Sequence, residues 1–192
     1  MWPALAAIAL FATPAVDAAE WGVRELMQEL AQVKSTRARF VERKEIAILS
    51  APLESSGTLH YTAPDKLEKH TLAPRAESLI LDRDRLTLES KARNQRRTFA
   101  LRDHPEIGAF VESIRSTLAG DLATLSRYYQ VALDGAQGRW QLTLKPTEPA
   151  MQRVVSEIRF EGGGSSIGSI EIIETNGDRS VMTITPEKPK GE

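Results

Sequence analysis

The stretch Ser56-Gly57-Thr58-Leu59-His60-Tyr61-Thr62-Ala63-Pro64-Asp65-Lys66-Leu67 decides how the rest of the chain is read. Leu59 and Tyr61 alternate with polar neighbours, the period-two pattern of a strand with one covered face. Ala63-Pro64-Asp65 has turn chemistry, and a second strand runs from there through Leu72. Two short strands across so tight a turn pair antiparallel.

The same pattern continues on both sides. Phe40 to Ile48 is the preceding strand, with a turn region at Leu53 to Ser56. Downstream, Leu79 to Asp82 turns at Arg83-Asp84 into Leu86-Thr87-Leu88, and Arg97 to Leu101 follows. Helical spacing marks Glu20 to Val33, where Trp21, Leu26, Met27, Leu30 and Val33 fall near one face. A second helical section interrupts the strands. Pro105 and Glu106 suit a first turn, Ile107, Phe110, Val111, Ile114 and Leu118 share a face, and Gly120 ends it. Asp121 caps a short helix holding Leu122 and Leu125. Strands resume at Tyr128–Leu133, Trp140–Leu144, Val154–Phe160, Ile167–Glu174 and Ser180–Thr185, with a hairpin turn at Asn176-Gly177. The plan is a helix, about six strands, helices and about five strands. That is an α+β chain with one large antiparallel sheet of about 11 strands, long enough to curl, and helices to cover its open side.

Composition narrows the chemistry. The 192 residues contain no cysteine, which excludes catalytic thiols, disulfides and thiolate metal sites. Basic and acidic residues number 25 and 26 and are interleaved, unlike the basic face of a nucleic-acid binder. The densest basic run, Lys91, Arg93, Arg96 and Arg97, reads as a solvated hairpin, with an anionic head-group or partner contact as the alternative. Residues 1–18 have the layout of a cleavable secretory leader: no charge from Met1 to Val16, an apolar run from Pro3 to Ala12, and small residues around Val16-Asp17-Ala18. The run is too short to span a bilayer, and the usual leading Lys or Arg is missing. The organisation expected is a leader over 1–18, one domain over 19–186 and a polar tail over 187–192.

Motifs for catalysis are sparse. His60, His70 and His104 lack metal-ligand spacing, and no metal or other cofactor is expected. Gly162-Gly163-Gly164-Ser165-Ser166 lacks the lysine and following helix of a phosphate loop and reads as a hairpin connection. No nucleophile elbow occurs, so a non-enzymatic role is expected. What the chain does offer is an apolar inventory. Leu59, Tyr61, Leu67, Leu79, Leu81, Leu86, Leu88, Phe99, Leu101, Trp140, Leu142 and Leu144 are placed to face inward from strands, and Phe110, Ile114 and Leu118 from a helix. Periodicity leaves open whether they enclose one another or a ligand.

Several ordered motifs resemble the outer-membrane lipoprotein carrier (LolA-like) family. The segment Val33-Lys34-Ser35-Thr36-Arg37-Ala38-Arg39-Phe40-Val41-Glu42 is similar to that family's passage from helix to first strand, and Ser56 to Leu67 to its following hairpin. Pro74 to Asp82 and Trp140-Gln141-Leu142-Thr143-Leu144-Lys145-Pro146 also resemble family segments, so the likeness covers nearly all of the mature chain. Ala63 replaces a basic residue common before the hairpin proline, and Lys69 an aromatic one, which makes this a divergent branch. The resemblance implies an incomplete antiparallel barrel with a helical lid. It implies a periplasmic, monomeric carrier that shields acyl chains of lipoproteins or a related lipid between an inner-membrane donor and an outer-membrane acceptor. The apolar residues named above then become candidates for lining the lipid cavity. The alternatives are an envelope-stress sensor or binding module on the same scaffold, or an enzyme acting on a lipid or glycan.

Overall fold

The computed structural model describes residues 21–187. The expected leader over 1–18 and all but Glu187 of the expected tail lie outside the described residues. Helix α1 (Val23–Ala31) leads into six strands: β1 (Ser35–Glu45), β2 (Leu53–Thr62), β3 (Lys66–Ala73), β4 (Glu77–Asp82), β5 (Arg85–Ser90) and β6 (Gln95–Ala100). Helices α2 (Pro105–Ala119) and α3 (Leu122–Tyr128) follow. Then come β7 (Tyr129–Ala136), β8 (Arg139–Pro146), a one-turn α4 (Pro149–Gln152), β9 (Val155–Gly163), β10 (Ser166–Glu174) and β11 (Arg179–Pro186).

All 11 strands form one antiparallel sheet in the order β6-β5-β4-β3-β2-β1-β11-β10-β9-β8-β7. The one long-range closure is β1 against β11, where Phe40 lies opposite Ile184. β6 and β7 remain separate edges, so the barrel is incomplete and the expected α+β architecture holds.

The boundaries differ in informative ways. β1 occupies Ser35–Glu45 rather than Phe40 to Ile48. Its first residues alternate without apolar side chains on the outer face, which hides them from a hydrophobicity reading, while Ile48 is apolar yet lies in a connection. Leu53 to Ser56 is the start of β2, not a turn. Leu101 belongs to a single 3₁₀ turn after β6. The segment after Pro146, read as a plain break, contains α4, whose Met151 is buried.

The helix signals act as their chemistry dictates. The Glu25 carboxylate accepts the Gly22 N–H at 3.0 Å, satisfying one free donor at the start of α1. Asp121 accepts the Thr124 N–H at 2.9 Å, and that bond first among several causes holds its carboxyl below the usual range. Gly120 ends α2 at φ +68°, and a Cβ there would lie 2.1 Å from the Met27 carbonyl oxygen. Both the left-handed backbone and the close approach of α1 therefore require glycine.

Candidate functional site

In an antiparallel pair, directly opposed residues share a face. Following the register from strand to strand therefore traces the inner, helix-covered face in rows. One row is Thr36, Tyr61, Leu67, Leu81, Leu86 and Phe99. The next is Ala38, Leu59, Lys69, Leu79, Leu88 and Arg97, and the third Phe40, Gly57, Thr71, Glu77, Ser90 and Gln95. On the other half of the sheet, Ile170, Phe160, Leu142 and Leu133 form one row, and Ile172, Ile158, Leu144 and Val131 another. All eleven strand candidates from the sequence other than Leu101 thus lie on one face.

The two halves of that face are covered differently. Over β7–β10, α1, α3 and α4 fill the space: a core of fourteen buried residues includes Leu26, Met27, Leu30, Leu125, Trp140, Leu142, Leu144, Ile158 and Phe160. Trp140, Leu142 and Leu144 are at most 2% exposed there. Phe110, Ile114 and Leu118 of α2 pack against this core from above. Over β3–β6 the buried core has four residues, Leu81, Leu86, Leu101 and Val111, with Leu67, Leu79, Phe99, Ile107 and Phe110 half-buried around it. Phe110 belongs to both clusters, so α2 spans from one half to the other. Leu59 and Leu79 are half-buried, and Leu88 is 40% exposed although it faces inward.

Beside Leu79 and Leu88 the surface forms a depression of about 430 Å³ whose other lining residues are polar, Lys69, Thr71, Glu77 and Arg97 among them, with Ser78 and Glu89 facing outward by register. That size lies within the roughly 300–1,000 Å³ of small-ligand sites. A larger depression of about 560 Å³ lies around the β7–β10 end, but Asp134, Gln141, Glu161 and Ser169, which face outward by register, contribute to its wall.

Polar groups cross the inner face beside the leucines. Lys69 Nζ donates to Glu42 at 2.5 Å and stands 4.9 Å from the centre of the Phe40 ring. Ser180 and Ser55 hydroxyls also donate to Glu42. Burial pushes the Glu42 carboxyl up, but Lys69 and the two serines outweigh it and hold it below its ordinary value. Gly57 is required here. A Cβ would meet the His70 carbonyl oxygen at 1.9 Å and the Phe40 ring at 3.0 Å. The Tyr61 hydroxyl is buried with no hydrogen-bond partner among the described residues. Sequence reading missed the Lys69–Glu42 pair, yet strand parity places both inward with Leu59 and Phe40.

Helix α2 is held at its margins. Tyr129 Oη donates to the Ala109 carbonyl at 3.1 Å, and Arg115 reaches the Arg83 carbonyl at 3.2 Å. Burial pushes the Tyr129 phenol up to about 12. Ser113, Ser116 and Thr117 are fully buried on α2, but their hydroxyls donate back to Phe110, Glu112 and Ser113 of the same helix. Ser116 and Thr117 thus satisfy themselves within the helix, while Ser113 also stands beside the Tyr129 hydroxyl.

His60 and His70 point outward by register, and His70 bonds Glu68 and Ser78. The His104 ring stacks edge-on with Phe99. No group of His, Asp and Glu arranged to hold a metal occurs among the described residues. No described helix is long and apolar enough to cross a membrane.

Residues 12–185 match the family described as outer membrane lipoprotein carrier protein LolA-like. Similar solved structures include a LolA superfamily protein from Nitrosomonas europaea, 8% identical, covering 88% of this chain and 95% of that one at TM-score 0.46. A putative outer membrane lipoprotein-sorting protein domain from Vibrio parahaemolyticus is 10% identical, covering 89% and 94% at TM-score 0.45. MucB in the MucA/MucB complex of Pseudomonas aeruginosa is 10% identical, covering 88% of this chain and 59% of that one at TM-score 0.45. No curated protein matches the sequence.

Proposed function

The chain belongs to the outer membrane lipoprotein carrier protein LolA-like family, and from that premise we propose that it is a non-enzymatic periplasmic carrier, exported by residues 1–18, that shields acyl chains of a lipoprotein or related lipid on the β2–β6 half of its inner face. The observation that carries this reading is the uncovered leucine row. Leu59 and Leu79 are half-buried and Leu88 is 40% exposed although all three face inward, in a molecule whose other half is densely packed.

Each methylene moved from water to such a surface contributes about 0.8 kcal/mol. Complete enclosure of several chains would make release very slow. An open trough that covers a chain on one side captures part of that energy and leaves the transfer reversible. Helix α2 suits the role of a lid. Its buried hydroxyls bond within the helix, so lifting it breaks few polar ties beyond those of Tyr129 and Arg115. The Lys69–Glu42 pair ends the apolar surface with charge, which suits the boundary between an acyl chain and a polar head.

Native mass spectrometry of the protein purified from its own periplasm with minimal detergent tests the reading. The expected result is a co-purifying acylated species that disappears in Leu79→Trp, a substitution that fills the trough. A cargo-free mass, together with no uptake of a fluorescent acyl probe, would overturn it in favour of a protein-binding module on the same fold.

A further inference from the structure

The two ends of the sheet differ. In an up-and-down antiparallel sheet, alternate connections lie at opposite ends. One end therefore gathers β1–β2 (46–52), β3–β4 (74–76), β5–β6 (91–94), β8–β9 (147–154) and β10–β11 (175–178). The other gathers β2–β3, β4–β5, β7–β8 and β9–β10.

Seven large hydrophobic residues are exposed among those described, and five belong to the first end. Ile48 (91%) and Leu49 project from the β1–β2 connection, Leu53 begins β2, Leu72 lies next to the end of β3 and Val154 precedes β9. The other two, Val41 and Leu88, sit within strands. The residues from Ile46 to Leu53 include no charge. Their backbone is nevertheless fixed, since Leu49 N–H bonds the Ile46 carbonyl and Ala47 N–H donates to Asp178 at 2.9 Å. Ile48 and Leu49 are thus presented to solvent from an ordered turn, with little ordering left to lose on contact.

Charge follows the same division. The connections at the first end carry exposed Arg75, Lys91, Arg93 and Arg153 against exposed Glu148, and the strand ends beside them, where Leu53 and Leu72 stand, add Arg96, Lys145 and Arg179 against Glu45, Glu54 and Glu77, the Asp178 carboxylate being buried and bonded. The connections at the other end carry Arg83 against Asp65 and Asp84, and no exposed large hydrophobic.

The apolar side chains project from hairpin tips of one rim, Ile48, Leu49 and Leu53 from β1–β2 and Leu72 beside β3–β4, and the cations follow along the same rim at Arg75, Lys91 and Arg93 toward the β6 edge. They match a surface that each tip can enter alone, with phosphates at the height of the cations. We propose that this rim docks the protein on an anionic phospholipid bilayer. Ile48, Leu49 and Leu53 enter the apolar boundary, and Arg75, Lys91 and Arg93 lie against the headgroups. Arg93 also lines the 430 Å³ depression, so docking would turn the mouth of the leucine trough toward the bilayer. The docking surface stands on the rim residues and does not depend on what the trough carries.

Vesicle flotation of the purified full protein, its intact mass recorded to establish leader removal, tests the proposal. The probes are vesicles of phosphatidylcholine mixed with phosphatidylglycerol, and of phosphatidylcholine alone. The expected result is binding to the mixed vesicles that weakens with salt and falls about tenfold or more in Ile48→Asp/Leu49→Asp. Arg75→Glu/Lys91→Glu should lose the preference for the anionic lipid. These side chains are exposed, so thermal melts of the variants should match the parent. Absence of wild-type binding to the mixed vesicles, or variants that bind as the parent does, would overturn the proposal. Uptake of a fluorescent acyl probe is scored in the same samples, so that loss of docking is distinguishable from loss of cargo binding.

Discussion

The two halves of the inner face have the same strand pattern and opposite fates. Over β7–β10, period-two leucines meet three helices and become a packed core. Over β2–β6, similar leucines meet one end of α2 and remain partly open. Alternation along a strand determines which face turns inward. What lies above that face depends on where the helices land, and here α1, α3 and α4 land on one half.

That difference can be broken most forcefully by truncation. Leu142→Ala should cost about 2–5 kcal/mol, because a rigid, filled surrounding cannot collapse around the hole. Leu88→Ala, on the open half, should cost under about 1 kcal/mol, since its side chain already meets solvent. Urea denaturation of the two variants measures the contrast, and equal losses would remove it. Overpacking sharpens the same point from the other direction. Leu142→Trp should destabilise by about 1–3 kcal/mol or more, whereas Leu79→Trp should fold normally and bind an acyl probe about tenfold or more weakly.

The attachment of α2 gives a smaller effect. Tyr129→Phe removes the hydroxyl that bonds Ala109 and should cost about 1 kcal/mol while speeding probe uptake in stopped flow. It should also change the alkaline limb. The folded phenol holds its proton up to about 12 against an ordinary 10.0, so the folded state binds more protons and stability falls as pH rises through that window. The Phe variant lacks this contribution. In acid the sign reverses for Glu42. Its folded carboxyl titrates below 4.5, so its contribution is present above that pH and fades as pH falls through the folded value. Glu42→Gln should flatten the acid limb of a stability–pH curve. The smallest effect belongs to Tyr61→Phe, which removes a buried hydroxyl without a partner among the described residues and should leave stability within about 0.5 kcal/mol.

Much of the architecture was readable in the chain. Asn176-Gly177, Pro105, Gly120 and Asp121 mark their turn and helix ends through local backbone chemistry, and each acts as marked. Eleven strands follow from the alternation, and the register puts Leu59, Leu88 and Leu144 on one face as parity requires. Boundaries slipped where polarity and strand state separate, as at Ser35–Arg39 and at Ile48. The division into filled and open halves was not readable. Leu88 and Leu142 occupy the same kind of position in the same kind of pattern, and only where α1, α3 and α4 land distinguishes them. The Lys69–Glu42 pair escaped notice because residues 27 apart in the chain become neighbours only through the pairing of β1, β2 and β3.

The most direct test of the open half is a methyl NMR titration with a diacylated lipopeptide, following the leucines of both halves. Shifts at Leu59, Leu79 and Leu88, with Leu142 and Leu144 unmoved, are the predicted result. Shifts centred on Leu142 and Leu144, or none at all at saturating lipopeptide, would contradict the account.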